Sequence, residues 1–162
     1  MDKLLSFLKN IPEYQLLLKS VQRNEAAAVT GLGQINRSHL VAGLRRETDR
    51  PIVVICQDDM TAKRLQQELA AFLGETAPVL PSRELTLYDT AVVSRAWEQK
   101  RLNQLFHLAK GETPLQILTW EALSQRTMPP AVLQKAAFTL EVGQEYPLEE
   151  LTEKLSHAGY TR

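Results

Sequence analysis

The stretch Ala28-Val29-Thr30-Gly31-Leu32-Gly33-Gln34-Ile35 is where this sequence comes nearest to a chemical motif. A phosphate-binding loop reads G-x-x-x-x-G-K-[ST] between a strand and a helix. Its backbone N–H groups cradle phosphates, its lysine neutralises them and its hydroxyl holds magnesium. Here Ala28 stands at the first glycine, Gln34 at the lysine and Ile35 at the hydroxyl residue, while Gly33 keeps its type. A neutral amide does not offset triphosphate charge, and isoleucine has no oxygen for a cation. Gly31 and Gly33 therefore read as a tight strand-to-helix turn. Free N–H groups at the start of the following helix would retain at most weak affinity for an anion, with Arg37 and Ser38 one turn further on. No cofactor or metal is expected in this chain.

Other reactive residue types are sparse. Cys56 is the single cysteine and lies inside the apolar run IVVIC, which reads as a small buried hydrophobe. His39, His107 and His157 are far apart, and no His/Cys pair has metal-ligand spacing. Lys plus Arg and Asp plus Glu number 19 each, so the formal net charge is zero. A duplex-binding domain ordinarily carries a basic excess. The run Arg45, Arg46, Glu47, Asp49, Arg50 reads as a solvated helix end. Arg95, Glu98, Lys100 and Arg101 read as ordinary surface pairing on one helix. Trp97 and Trp120 sit among leucines and read as packing residues.

The elements that must position these residues follow from periodicity. Leu4, Leu5 and Leu8, then Tyr14, Leu17, Leu18 and Val21 after Pro12, predict two short helices. AAAVTG at 26–31 predicts a buried strand, and 35–47 a helix with Leu40, Val41 and Leu44 inward. PIVVIC at 51–56 predicts a second buried strand, followed by Asp58 or Asp59 as helix cap. A helix over 60–73 carries Leu65, Leu69, Phe72 and Leu73, and Val79–Leu80 reads as a short strand. A helix over 94–110 holds Trp97, Leu102, Leu105 and Leu108 and stops at Gly111. PLQILTW at 114–120 is another strand, Glu121–Gln125 a short helix, and Pro129-Pro130 a break. Beyond it, KAAFTLEVGQEY predicts an edge strand, and PLEELTEKLSHAGY a helix that starts at Pro147 and stops at Gly159. Alternating strands and helices predict an α/β fold with a doubly wound parallel sheet. The change of character near residue 130 marks the start of a second, α+β domain. No apolar run is long enough to span a bilayer, and a cytoplasmic protein fits this pattern.

The ordered series VTGLGQINRSHL, RPIVVICQDDMTAKRLQQELAAFLG, LPSRELTLYD, QILTWEALSQRTMPP and FTLEVGQEYPLEELTEKLSHAGYTR resembles the N-terminal module of bacterial transcription-repair coupling factors. That module is itself similar to the start of the excinuclease B subunit. The resemblance covers nearly the whole chain after residue 24. It implies a helicase-like, P-loop-NTPase-like sheet flanked by helices, with a degenerate phosphate loop. The implied parts are helices over 1–24, an α/β domain over 25–128 and, over 129–162, the opening of an inserted domain that docks on the excinuclease A subunit. It also implies a longer protein whose motor uses ATP and magnesium and whose partners include RNA polymerase and double-stranded DNA. A Y-x-R segment of the docking domain matches Tyr160-Thr161-Arg162, which makes Arg162 the carried-over contact residue. The alternative is a nucleotide-binding fragment of an excinuclease-B-like helicase, and Gln34 is the residue that separates the two.

Overall fold

The computed structural model describes residues 2–82, 95–158 and 160. The later part of LPSRELTLYD, the stop at Gly159 and the contact residue Arg162 lie outside them.

The chain opens with helix α1 (Asp2–Phe7), a 3₁₀ turn (Leu8–Asn10) and helix α2 (Pro12–Arg23). Pro12 at the first helical turn suits its fixed φ and missing N–H. Asn24 closes α2 in the left-handed conformation, and Arg50 donates to the carbonyl of Val21 at 2.9 Å and to the side chain of Asn24. Cationic donors at a helix C-terminus satisfy its free carbonyls and complement its dipole. Arg50 is thus the anchor of α2, a task its place in a mixed-charge run did not reveal.

Helix α3 (Gln34–Glu47) leads to strand β1 (Ile52–Cys56), then helix α4 (Asp59–Leu73) and strand β2 (Val79–Leu80). Asp58 is the residue that caps α4, accepting from Thr61 N–H at 2.7 Å. Those hydrogen bonds hold its carboxyl below the usual carboxylate range. Gly74 ends the helix at φ 76°. Helix α5 (Arg95–Ala109) closes at Gly111, φ 72°, before strand β3 (Leu115–Thr119) and helix α6 (Trp120–Ser124).

The sheet is parallel, in the order β1-β3-β2. Ile52 pairs with Leu115 and Cys56 with Thr119, while Val79 pairs with Ile117. All of β3 is buried, because its two faces serve two clusters. Leu115 and Ile117 pack with Cys56, Ala62, Leu65 and Leu69, with Phe72 and Leu73 at the margin. Leu118 packs with Leu80, Ala122 and Leu105 on the other face. The architecture is therefore an α/β arrangement, a three-stranded parallel sheet flanked by helices.

Five expectations are corrected. The segment 26–31 forms no strand, and residues 25–30 are all exposed. Three successive alanines bring little apolar surface, and no strand edge pairs with them. The run 51–56 is a strand but is not buried on both faces. Val53 is 55% and Ile55 50% exposed, because β1 lies at the edge of the described sheet and α4 covers only the face bearing Ile52, Val54 and Cys56. On α3 the buried residues are Ser38, Ala42 and Gly43; Leu40, Val41 and Leu44 are half-buried, and Val41 packs against the core as expected, but the closest contacts fall elsewhere. The helix approaches its neighbours closely there: a Cβ on Gly43 would collide with Leu8 and lie 2.9 Å from the Tyr14 hydroxyl. Trp120 is 65% exposed, since the chain turns into α6 directly after the inward-facing Thr119. Finally, the segment expected as an edge strand begins in helix α7 (Pro130–Ala136) and continues without strand pairing. Val142 projects freely, and no strand among the described residues pairs with it. Helix α8 (Leu148–His157) follows, with Pro147 as its N-cap.

Candidate functional site

Gly33 is the N-cap of α3 and Gln34 its first residue, so the glycine turn does deliver a helix N-terminus. Gly31 sits at φ 78°, a conformation glycine adopts without cost. What precedes the turn differs from a phosphate loop. Ala28 belongs to an exposed, unpaired segment, so no strand end holds the backbone in the curved cradle that phosphates require. Ile35 is 52% exposed and offers no oxygen. The Arg37 side chain is exposed. Ser38 is already taken: it is fully buried and its hydroxyl donates to the Glu68 carboxylate, which also accepts from Arg64 Nε at 3.1 Å. Ser38 thereby ties α3 to α4 rather than serving a ligand. The periodicity of the helix carries that information, because position 38 lies one turn before Ala42 on the same face.

The other described residues of reactive type make contacts within the fold. Cys56 is buried, and burial together with Asp58 raises its thiol pKa. His39 donates to the Leu4 carbonyl at 2.9 Å and stacks on Phe72, fastening α1 to the core. His107 pairs with Glu112 at 2.7 Å, and this contact lowers the Glu112 pKa. His157 bonds within its own helix. Among the described residues no cluster of His, Cys, Asp or Glu could hold a metal ion. No described helix is long and apolar enough to cross a membrane.

Arg101 departs most from its expected role. It is not a surface pairing residue but is 8% exposed, donating to the carbonyls of Pro81 at 2.5 Å and Ala122 at 3.0 Å. Both acceptors lie just beyond strand ends, so one guanidinium ties α5 to the carboxyl edge of the sheet. Burial lowers its pKa. The surface pattern of α5 gave no sign of this, because the acceptors are backbone groups distant in sequence.

The fold and the turn define a class: an α/β domain with a parallel sheet and a glycine-capped helix that carries neither the cation nor the hydroxyl of a phosphate loop. The relatives narrow this. The chain is 29% identical over 152 residues to the transcription-repair-coupling factor of Myxococcus xanthus, covering 89% of this chain and 13% of that protein. It is 24% identical over 164 residues to that of Bacillus subtilis (strain 168), covering 100% and 14%. For Escherichia coli (strain K12) the figures are 26% over 147 residues, covering 91% and 12%. The resemblance to bacterial transcription-repair-coupling factors thus holds across most of the chain, which spans only a small part of their length. No family model matches the chain, and no solved structure does.

Proposed function

We propose that this chain is the N-terminal module of a transcription-repair coupling factor and acts as a non-catalytic scaffold. In this reading residues 1–24 are a helical lead, 25–128 a helicase-like α/β domain that has lost its nucleotide, and 129–162 the opening of the domain that docks on the excinuclease A subunit. The complete protein is an ATP-dependent DNA translocase. It displaces RNA polymerase stalled at a lesion and recruits the excision machinery in the cytoplasm. ATP and magnesium serve the motor, and RNA polymerase and double-stranded DNA are partners of the whole protein.

The similarity to coupling factors along 89–100% of the chain in three relatives carries this reading. The geometry of the glycine turn supports the absence of chemistry, since Gln34 and Ile35 occupy the positions where charge neutralisation and magnesium binding are needed. A thermal-shift titration with Mg-ATP tests this part. No shift is expected, and saturable stabilisation at micromolar nucleotide overturns it in favour of a nucleotide-binding fragment, because a ligand of the native state must raise the melting temperature. The docking part is tested by immobilising the excinuclease A subunit and measuring its binding to the protein carrying the whole docking domain. Arg162→Glu should weaken that binding through loss of a bidentate cation. Unchanged binding removes Arg162 from the interface.

A further inference from the structure

A cavity of about 470 Å³ opens between α5 and the segment that leads from α6 to α7. Trp97, Leu102 and Leu105 of α5 and Met128 opposite supply its apolar wall, with Arg101 and Arg126 among them. Leu102 and Met128 are 42% and 43% exposed, so the apolar wall is open to solvent. The two arginines outnumber the one acidic lining residue, Glu98. Arg101 is the informative member. Its two hydrogen-bond acceptors are neutral carbonyls, and among the described residues no carboxylate forms an ion pair with it. A buried cation whose described partners are neutral carbonyls favours an anion brought to it. The same two carbonyls hold the guanidinium in place, so little rotamer entropy remains to be lost on binding.

We propose that this cavity is a docking pocket for an acidic peptide segment of a partner protein, one that pairs a carboxylate with an adjacent bulky apolar side chain. The carboxylate meets Arg101 and Arg126, and the apolar side chain fills the space between Trp97, Leu105 and Met128. Aromatic and arginine groups around a partly enclosed pocket are the usual anchors of protein interfaces. A nucleic-acid strand fits less well. Two cations do not track a phosphate backbone, and the chain as a whole has no net positive charge. The inference does not depend on the coupling-factor reading.

The test uses a fluorescein-labelled probe, acetyl-Glu-Asp-Phe-Glu-Leu-amide, followed by anisotropy, with amide NMR shifts locating its site. Saturable binding is expected, with shifts centred on Trp97, Leu105 and Met128. Arg126→Glu, at an exposed position, should weaken it by about tenfold or more while leaving the circular dichroism unchanged. Arg101→Met is the more direct change but risks the fold, so Arg126→Glu and a lysine-substituted probe carry the decision. Absence of saturation at millimolar probe overturns the proposal. So does equal affinity for Arg126→Glu or for acetyl-Lys-Lys-Phe-Lys-Leu-amide. Displacement of the probe from this site by a single-stranded oligonucleotide at lower concentration would assign the pocket to nucleic acid instead.

Discussion

The sheet with α4 and the stretch from α7 to α8 have comparable apolar patterns and opposite fates. Ile52, Val54 and Cys56 alternate along β1 and pack on α4, where Leu65 and Leu69 are buried. Phe138, Leu140 and Val142 alternate in the same way, yet Leu140 is exposed and Val142 projects freely into solvent. Helix α8 is as amphipathic as α4, with Leu148, Leu151 and Leu155 near one face, but neither α7 nor α8 has a buried residue. Patterning creates a face, and only an opposing face turns it into burial. β3 provides that face in the sheet, buried on both sides. In the later segment α7 lies against α5, and the residues beyond it gather around Phe138, Tyr146 and Leu151. Its link to the rest includes the bond from Gln134 to the Ala109 carbonyl at 2.7 Å.

Hydrogen exchange gives the largest contrast. The amides of 52–56 and 115–119 that are bonded in the sheet should exchange only through global opening, at a free energy of about 5 kcal/mol or more. Those of 138–158 should exchange through local opening at a small fraction of that. Equal protection of the two segments would show that they form one cooperative unit.

Truncation sharpens the contrast further. Leu69 and Ile117 are fully buried, and either changed to alanine should cost about 2–5 kcal/mol in urea unfolding. Leu148→Ala, at a residue 77% exposed, should stay within about 0.5 kcal/mol. A large cost at Leu148 would reveal a packing partner for α8.

Gly43→Ala examines the N-terminal helices, which side with the sheet in this comparison. The added methyl meets Leu8 and Tyr14 where no space exists, and a loss of about 1–3 kcal/mol is expected. A neutral result would mean that α1 and α2 shift readily and belong with the loosely held segment.

The smallest effect is at alkaline pH. Burial, and then Glu47, push the Tyr14 phenol up from 10.0 to about 12. The unfolded chain therefore loses this proton first. The contribution of Tyr14 is complete below about pH 10 and falls away as pH rises toward 12. Tyr14→Phe should flatten that decline, read as the slope of the unfolding free energy between pH 10 and about pH 12. An unchanged slope would mean that other groups govern the alkaline limit.

Local chemistry was legible in the sequence wherever a few neighbouring residues decide the outcome. A cap at Asp58 or Asp59, the stop at Gly111, the helix after Gly33 and the strands at 52–56, 79–80 and 115–119 follow from backbone preferences and periodicity. The residue types at Gln34 and Ile35 were equally legible, and whether the turn takes nucleotide is what the Mg-ATP titration decides. Partner-dependent features were not. Residues 26–31 and 138–142 have strand-like patterns, but a strand exists only when another edge supplies its hydrogen bonds. Arg50 and Arg101 look like surface cations, and what gives them structural roles is the set of carbonyls that the folded chain brings within reach. Ser38 and Gly43 became the contact line of α3 because two neighbouring elements close on it. Sequence determined most of the helices and strands that form and which residue types stand at the glycine turn. The tertiary structure alone decided which faces are covered, since burial belongs to pairs of surfaces and not to either one.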